Sequence, residues 1–280
     1  MTLTPFSDRV RQAFARRVAS YEPMAPLQRG LAWRLAGLAA RHLGGGVLPV
    51  GPCADLGAGT GLVGRALAAR HVALPAPLEQ LDLCPEALAR NSSGPPLPWD
   101  LNQGLPAHLH GAALFASSFA LQWVADPAAT LALWAAHLAP GGVLLLSVPT
   151  AGSFPEWRQA ALQAEVPCSA LPLPAVEALL AAAAAAGLER IEAPVLTFSR
   201  PATTPTVSTA SGRHPALEAL RAIRAIGADA TPGGASLPPG DWRRLLAAWP
   251  PGGSLSWEVF VLLARRPAAP AAGGAPPCAW

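Results

Sequence analysis

The chain has 280 residues, 51% of them hydrophobic and only 13% charged, with a formal net charge of +3. That composition builds a globular core and excludes a disordered chain, and so small a charge, with no basic run interleaved with aromatics, gives no nucleic-acid surface. All 20 basic residues are Arg, which excludes lysine Schiff-base and lysine general-base chemistry.

In chain order, residues 5–43 read as helical, with a proline-rich break at Tyr21-Glu22-Pro23-Met24-Ala25-Pro26. Leu27, Leu31, Leu35 and Leu38 repeat with a helical period. A first strand is expected over Val50 to Leu56, then a glycine turn and a helix from Leu62 to Arg70. A second strand over Leu78 to Leu83 precedes a helix opened by Pro85. A third strand is expected near Leu97 to Leu101 and a fourth over Ala112 to Ser117. A helix over Thr130 to Leu138 stops at Pro140-Gly141-Gly142, before the aliphatic fifth strand Val143 to Val148. Later come a helix over Ala175 to Ala186, a sixth strand over Leu188 to Phe198 and a connector over 200–214. A helix over His214 to Ile226, a loop over 231–240, a helix over Asp241 to Trp249 capped by Asp241 and a last strand over Ser254 to Ala264 complete the pattern. The tail from Pro267 reads as disordered. Strands alternating with helices predict a doubly wound α/β sheet with its ligand at the carboxyl ends of the strands.

Cys53, Cys84, Cys168 and Cys278 show no Cys-x-x-Cys spacing, so neither a zinc site nor a disulfide framework is expected. No signal-peptide core is visible, and the alanine run at 181–186 is too short to span a bilayer. A cytoplasmic protein with no membrane or nucleic-acid partner is expected. His108-Leu109-His110 reads as a surface pair, and no metal is expected.

The most informative segment is Asp55-Leu56-Gly57-Ala58-Gly59-Thr60-Gly61. Alternate glycines remove Cβ atoms from a strand-to-helix turn, so a ligand can approach backbone N–H groups there. Asp55 supplies an acceptor just before the turn. S-adenosylmethionine, with its amino group and nucleoside, suits such a site. Gly59-Thr60-Gly61-Leu62-Val63-Gly64 also fits the dinucleotide pattern, so a nicotinamide cofactor is the rival. Asp82 closes the second strand, where a carboxylate can hold ribose hydroxyls or cap the next helix. Asp100, with Leu101 beside it, is placed to meet an adenine ring or to make a plain turn. Ser117 to Trp123 follow the fourth strand, where Gln122 and Trp123 either shape an acceptor pocket or, for Trp123, belong to the core.

These motifs, together with Leu81-Asp82-Leu83, Ala120-Leu121-Gln122-Trp123 and Leu138-Ala139-Pro140-Gly141-Gly142, resemble class I methyltransferases in order and spacing. The resemblance is closer to the malonyl-[acyl-carrier protein] O-methyltransferases of biotin synthesis. It extends to Tyr21 through Arg29, to Gly152-Ser153-Phe154-Pro155-Glu156, to Ala222 through Ala228 and to Trp249-Pro250. The chain differs from that family's usual pattern at Ala58, Gly111-Ala112-Ala113, Ser118 and the 200–214 connector.

The resemblance implies a Rossmann-like, seven-stranded methyltransferase sheet. It implies an N-terminal helical lid over 1–45 and a catalytic domain over 46–266 with a helical insertion at about 200–250. S-adenosylmethionine is the implied cofactor, held by Tyr21, Arg29, Asp55, Gly57, Gly59, Gly61, Asp82, Leu83, Asp100, Leu101 and Ser117. Gln122, Trp123, Arg221 and Arg224 are the acceptor candidates, and a malonyl-loaded acyl carrier protein is the implied partner. Arg29, Arg221 and Arg224 also read as ordinary exposed helix arginines. A methyltransferase for another small carboxylic acid and a methyltransferase-like assembly protein remain the alternatives.

Overall fold

Parallel strands dominate a sheet in the computed structural model, which describes residues 4–43, 48–200, 215–226, 228, 237–251 and 253–268. Expectations for 201–214, Gly227, 229–236, 269–280 and Cys278 lie outside the described residues. The elements are α1 (Pro5–Ala15), α2 (Tyr21–Met24), α3 (Pro26–Leu43), β1 (Cys53–Leu56), α4 (Leu62–Ala69), β2 (Leu78–Asp82), α5 (Pro85–Leu88) and β3 (Pro96–Pro98). Then follow β4 (Ala112–Ser118), α6 (Pro127–His137), β5 (Leu138–Pro149), α7 (Pro155–Gln163), α8 (Val176–Ala185), β6 (Glu189–Glu192), β7 (Val195–Arg200), α9 (Pro215–Ala225), α10 (Pro239–Ala247) and β8 (Leu255–Arg265).

The strand order is β3-β2-β1-β4-β5-β8-β6, with β7 also paired to β8. The first five strands run parallel and β8 is antiparallel to β5. β6 and β7 both lie along the free edge of β8, against Leu263–Arg265 and Leu255–Phe260 respectively. They are one edge position interrupted at Ala193-Pro194, where proline has no N–H for the ladder. The single sixth strand expected over 188–198 is therefore two, and the sheet keeps seven positions with eight strands. The chain reverses direction across the sheet between β1 and β4, which opens a crevice at their carboxyl ends.

Strand alternation sends side chains to two covered faces. Val143, Leu145, Val259 and Val261 pack with α3 and α4, while Leu144, Leu146, Phe260 and Leu262 pack with α6 and α8. Leu31, Leu35 and Leu38 of α3 are buried in the first of these clusters, so α3 is a layer of the core. Only α1 and α2 stand over the crevice. A third cluster joins Phe154 and Trp157 to Ile223 of α9 and to Leu245 and Trp249 near α10.

Several boundaries differ from expectation for one reason: proline opens helices as readily as it ends them. α6 starts at Pro127 rather than Thr130, with Asp126 accepting the Ala129 N–H at 2.9 Å. α10 starts at Pro239, so Asp241 is not its cap; it pairs with Arg244 at 3.0 Å within the first turn. The segment Tyr21–Met24 is a helical turn rather than a break, and the chain turns at 16–20 instead. Val50 is 95% exposed, and the first strand begins at Cys53. β3 ends at Pro98 because two prolines confine it to an edge position. No helix among the described residues is long and apolar enough to cross a membrane.

Leu35 is fully buried between α3 and the sheet. Leu35→Ala is expected to destabilise the protein by about 2–5 kcal/mol in urea unfolding. A loss below about 1 kcal/mol would place α3 outside the core.

Candidate functional site

The turn after β1 is built by three glycines in the left-handed region, with φ of +79° at Gly57, +51° at Gly59 and +87° at Gly61. They do different jobs. A Cβ at Gly57 would strike Ala120, and one at Gly61 would strike Asn91 and Ser93, so both are close-approach positions. A Cβ at Gly59 would meet nothing within 4 Å, and Gly59 borders a cavity.

Four backbone donors of this turn, all three glycines among them, are already used. Gly57 and Ala58 both donate to Leu81 O at 2.8 Å, Gly61 donates to Ala58 O at 2.9 Å, and Gly59 donates to Asp82 Oδ2 at 2.7 Å. Asp82 Oδ1 accepts the Cys84 N–H at 2.7 Å, so the carboxylate also fastens the entry to α5. An ionised carboxylate has about four acceptor sites, which leaves capacity for a ligand hydroxyl. Burial pushes the Asp82 carboxyl above its ordinary range, against the lowering effect of the Cys84 and Gly59 N–H groups.

Behind the turn, Asp55 is 1% exposed and neither carboxylate oxygen has a hydrogen-bond partner. Burial, with a smaller contribution from Asp82, raises its pKa to about 8. A turn whose glycine N–H groups are spent, with an unpartnered carboxyl group beneath it, is poorly arranged for a pyrophosphate. It suits a ligand that brings a cation. These residues therefore fit S-adenosylmethionine better than the dinucleotide rival.

The cavity beside Gly59 holds about 110 Å³. Tyr21, Gly57, Asp82, Leu83, Asp100 and Leu101, all expected cofactor residues, line it. Asp100 Oδ1 accepts both the backbone and side-chain N–H groups of Asn102 at 3.0 Å, so it is a turn residue and a cavity wall together. Val10, Arg11 and Phe14 of α1 also line the cavity and were not foreseen. Their signal was the i, i+4 pair Val10 and Phe14 on one helix face. Trp123 meets the Phe14 ring edge-on at 5.6 Å, which seats α1 over the crevice.

Four expected cofactor residues lie outside this lining. Asp55 and Gly61 sit behind the turn. Ser117 is fully buried and donates to Leu56 O at 2.7 Å, because strand alternation turns it into the sheet and leaves Ser118 at the cavity. Arg29 is exposed on α3, its guanidinium 3.5 Å from Glu22 O.

A second, larger cavity of about 670 Å³ adjoins the first and shares Phe14, Tyr21, Phe119 and Trp123 with it. Gln122, Trp123, Arg221 and Arg224, the acceptor candidates, all line this second cavity. Gln122 Nε2 donates to Phe119 O at 2.9 Å, and Arg221 pairs with Glu218 at 2.7 Å. Arg9 of α1, Arg16 just after it, and Arg221 and Arg224 of α9 line this space, and no acidic residue is among its described lining. Phe119 and Phe154, at φ of +56° and +60°, hold the rare left-handed conformation on this wall, packed against Trp257 at 6.0 and 4.5 Å. Tyr21 stands at the junction; burial, then Asp82 and Glu22, push its phenol well above the ordinary range, so it stays a neutral O–H.

The two histidines read as a surface pair have separate partners: His108 meets Glu79 at 2.7 Å and His110 packs on His137. No group of three or more His, Cys, Asp or Glu among the described residues can hold a metal.

Because the folded-state pKa of Asp55 lies above its unfolded value, the protonated acid belongs to the folded state. Its contribution to stability is present below about pH 4 and is lost as pH rises to about 8. The ligand-free wild type is expected to lose thermal stability between pH 5 and pH 8 relative to Asp55→Asn, read from melting curves across that range. Parallel curves would show that Asp55 carries no such proton.

Comparison with known proteins gives the same answer as the geometry. Residues 48–193, just over half of the chain, match the family model described as a methyltransferase domain. The chain is 34% identical over 158 residues to a malonyl-[acyl-carrier protein] O-methyltransferase of Serratia marcescens, covering 54% of this chain and 58% of that protein. It is 36% identical over 159 residues to the protein of the same name from Alcanivorax borkumensis, covering 52% and 50%. The chain thus spans about half the length of the curated relatives it matches. In fold it is similar to a putative methyltransferase solved with the Trm112 activator of Haloferax volcanii, with a TM-score of 0.51 at 19% identity over 94% of this chain and 99% of that one. The YcgJ protein of Bacillus subtilis is similar at a TM-score of 0.53 and 13% identity, over 84% and 99%. The sheet order, the glycine turn and the matched span agree, and the chain belongs to the methyltransferase-domain family.

Proposed function

We propose that this chain transfers a methyl group from S-adenosylmethionine to the free carboxylate of a malonyl thioester, carried by acyl carrier protein or coenzyme A, in biotin synthesis. The observation that carries this reading is the second cavity: large, arginine-bearing, without an acid in its described lining, and joined to the cofactor cavity at Tyr21, Phe119 and Trp123. The names of the relatives support the same acceptor. On this reading the protein works in the cytoplasm with a malonyl-loaded carrier. Its catalytic unit is residues 46–266, covered by the N-terminal helices and carrying the late helices over about 200–250.

A malonyl carboxylate is ionised at neutral pH, so no general base is needed. S-adenosylmethionine supplies an electrophilic methyl on a sulfonium, and the O–CH3 bond forms as the S–CH3 bond breaks. The chain's own residues do the rest. Asp82 and Asp100 fix the nucleoside end, and the buried Asp55 carboxyl, which holds its proton up to about pH 8 in the free protein, ionises to face the cationic amino group. Arg221 and Arg224 draw the acceptor carboxylate in by charge-assisted hydrogen bonds. The absence of acids in the described lining spares that carboxylate a like charge. Helix α1 closes the crevice and excludes water, which strengthens the attraction between the opposite charges that cancel as the ester forms. Tyr21 keeps a neutral hydroxyl at the junction.

S-adenosylmethionine or its demethylated product is expected to raise Tm, by an amount corresponding to about 2.7 kcal/mol at 100 times Kd, while NAD does not. With labelled methyl donor, malonyl-carrier or malonyl-coenzyme A should form the ester and an acetyl thioester should be inert. Methylation of another diacid, with malonyl thioesters inert, would leave a methyltransferase with a different acceptor. Cofactor binding with no acceptor would favour an assembly role. Arg224→Ala is expected to raise the acceptor KM about tenfold, about 1.4 kcal/mol, with cofactor Kd unchanged in calorimetry. An unchanged KM would remove Arg224 from the acceptor site.

A further inference from the structure

Three polar atoms on residues lining the large cavity are buried without a hydrogen-bond partner: Gln122 Oε1, Trp157 Nε1 and Ser169 Oγ. Gln122 is 7% exposed and Trp157 9%. They come from three places in the chain, the turn after β4, helix α7 and the segment between α7 and α8. Their chemistry is complementary. Trp157 Nε1–H can only donate, Gln122 Oε1 can only accept, and the Ser169 hydroxyl can do either. The Gln122 amide is oriented by its Nε2–H bond to Phe119 O, which commits Oε1 to seeking a donor elsewhere. Buried polar groups are normally paired; these three atoms, on residues bordering one cavity, have almost no accessible surface, so a turn of each side chain toward the cavity would let one ligand pair them.

The arginines and these three atoms divide the cavity into two kinds of recognition. Arg221 and Arg224 suit a carboxylate. The orphaned set asks for a neutral group with both a donor and an acceptor, and the wall around it is mostly aromatic and aliphatic. A malonyl group alone has three carbons and would leave most of about 670 Å³ unfilled. A secondary amide on an otherwise apolar chain has the missing chemistry: its N–H for Gln122 Oε1 and its C=O for Trp157 Nε1–H. The pantetheine arm of carrier proteins and of coenzyme A has two such amides.

We infer that Gln122, Trp157 and Ser169 form an amide-reading subsite for the arm that carries the acyl thioester. This rests on the malonyl-thioester reading and names what that reading leaves open: the chain selects pantetheine-type thioesters by the arm's amide as well as by the acyl carboxylate. A site whose buried groups are left unpaired by a substrate discriminates against it more strongly than an apolar pocket does.

The test compares two small substrates at saturating S-adenosylmethionine. Malonyl-N-acetylcysteamine thioester carries one amide; malonyl n-pentyl thioester has the same chain length and none. The wild type is expected to prefer the first by at least about tenfold in kcat/KM, with the difference in KM. Trp157→Phe should reduce that preference about three- to tenfold, as loss of one hydrogen bond does. Ser169→Ala tests the same subsite at a half-buried position outside the helices and decides the matter if Trp157→Phe does not fold, as judged by cofactor binding and Tm. Equal use of the two thioesters by the wild type, or a preference untouched in the folded variants, overturns the subsite alone. If neither thioester is methylated while another carboxylic acid is, the malonyl reading falls and the subsite falls with it.

Discussion

The bond between Asp82 and the Gly59 N–H is the constraint on which the site depends. It ties the end of β2 to the turn after β1, and the same carboxylate holds the Cys84 N–H at the start of α5. Three chain segments are therefore fixed by one side chain at the edge of the cofactor cavity. The N–H groups of Gly57 and Ala58 go to Leu81 O and that of Gly61 to Ala58 O, which fixes the loop before any ligand arrives. Such a loop is preorganised, so a ligand meets a formed surface and need not order it. It also has a chemical preference. With its glycine N–H groups spent, the turn offers a ligand mainly shape and neighbouring carboxyl groups.

Closure of that surface is assigned to a different part of the chain. Helix α1 brings Val10 and Phe14 over the cavity and packs on Trp123 and Leu83, residues that belong to the strand-end loops. The helix is held by this small aromatic and aliphatic cluster, whereas α3 is bound into the main core by Leu31, Leu35 and Leu38. The next turn, α2, is fastened from another side: Glu22 meets Arg65 of α4 at 2.6 Å, and Arg65 also reaches Thr60 O beside the glycine turn. The cover and the cofactor loop thus share a contact. Burying few side chains under α1 makes its opening inexpensive relative to unfolding, which suits an element that must admit ligands.

What the sequence revealed was whatever depends on local chemistry. The glycine turn, Asp82 at a strand end and the aliphatic run at Val143 to Val148 each announce themselves within a few residues, and the sheet follows from their alternation with helices. Helix starts at Pro127 and Pro239 were misplaced because proline marks both ends of helices, and only the chain's path separates the two uses. Ser117 and Ser118 are adjacent and chemically alike, yet one bonds Leu56 O inside the sheet and the other faces the cavity. The strand register decides that, and register is a property of neighbouring strands. Trp157 and Ser169 gave no signal, since a Trp on an amphipathic helix reads as core. Their shared cavity exists only once α7, the turn after β4 and α9 are brought together.

Charge is distributed between the two cavities in a way that bears on the reaction. Asp82 and Asp100 border the cofactor side, with Asp55 buried behind it, and the one cation there, Arg11, is paired with Asp8 at 3.0 Å. Arg9, Arg16, Arg221 and Arg224 border the other side, with no acid among the described lining. Between them stand Phe14, Tyr21, Phe119 and Trp123, none of them charged at neutral pH. On the proposed reading, a cationic donor and an anionic acceptor would each be attracted to their own chamber, and binding in the wrong one would be opposed by like charge. On the same reading they would meet at a neutral aromatic junction, between the carboxyl groups of one cavity and the arginines of the other. Mutual attraction there is least screened, because the aromatic wall and α1 displace water. Transfer then converts two ions into two neutral groups, which the same chambers hold less well. On that reading, the arrangement that gathers the reactants would also favour release of the products.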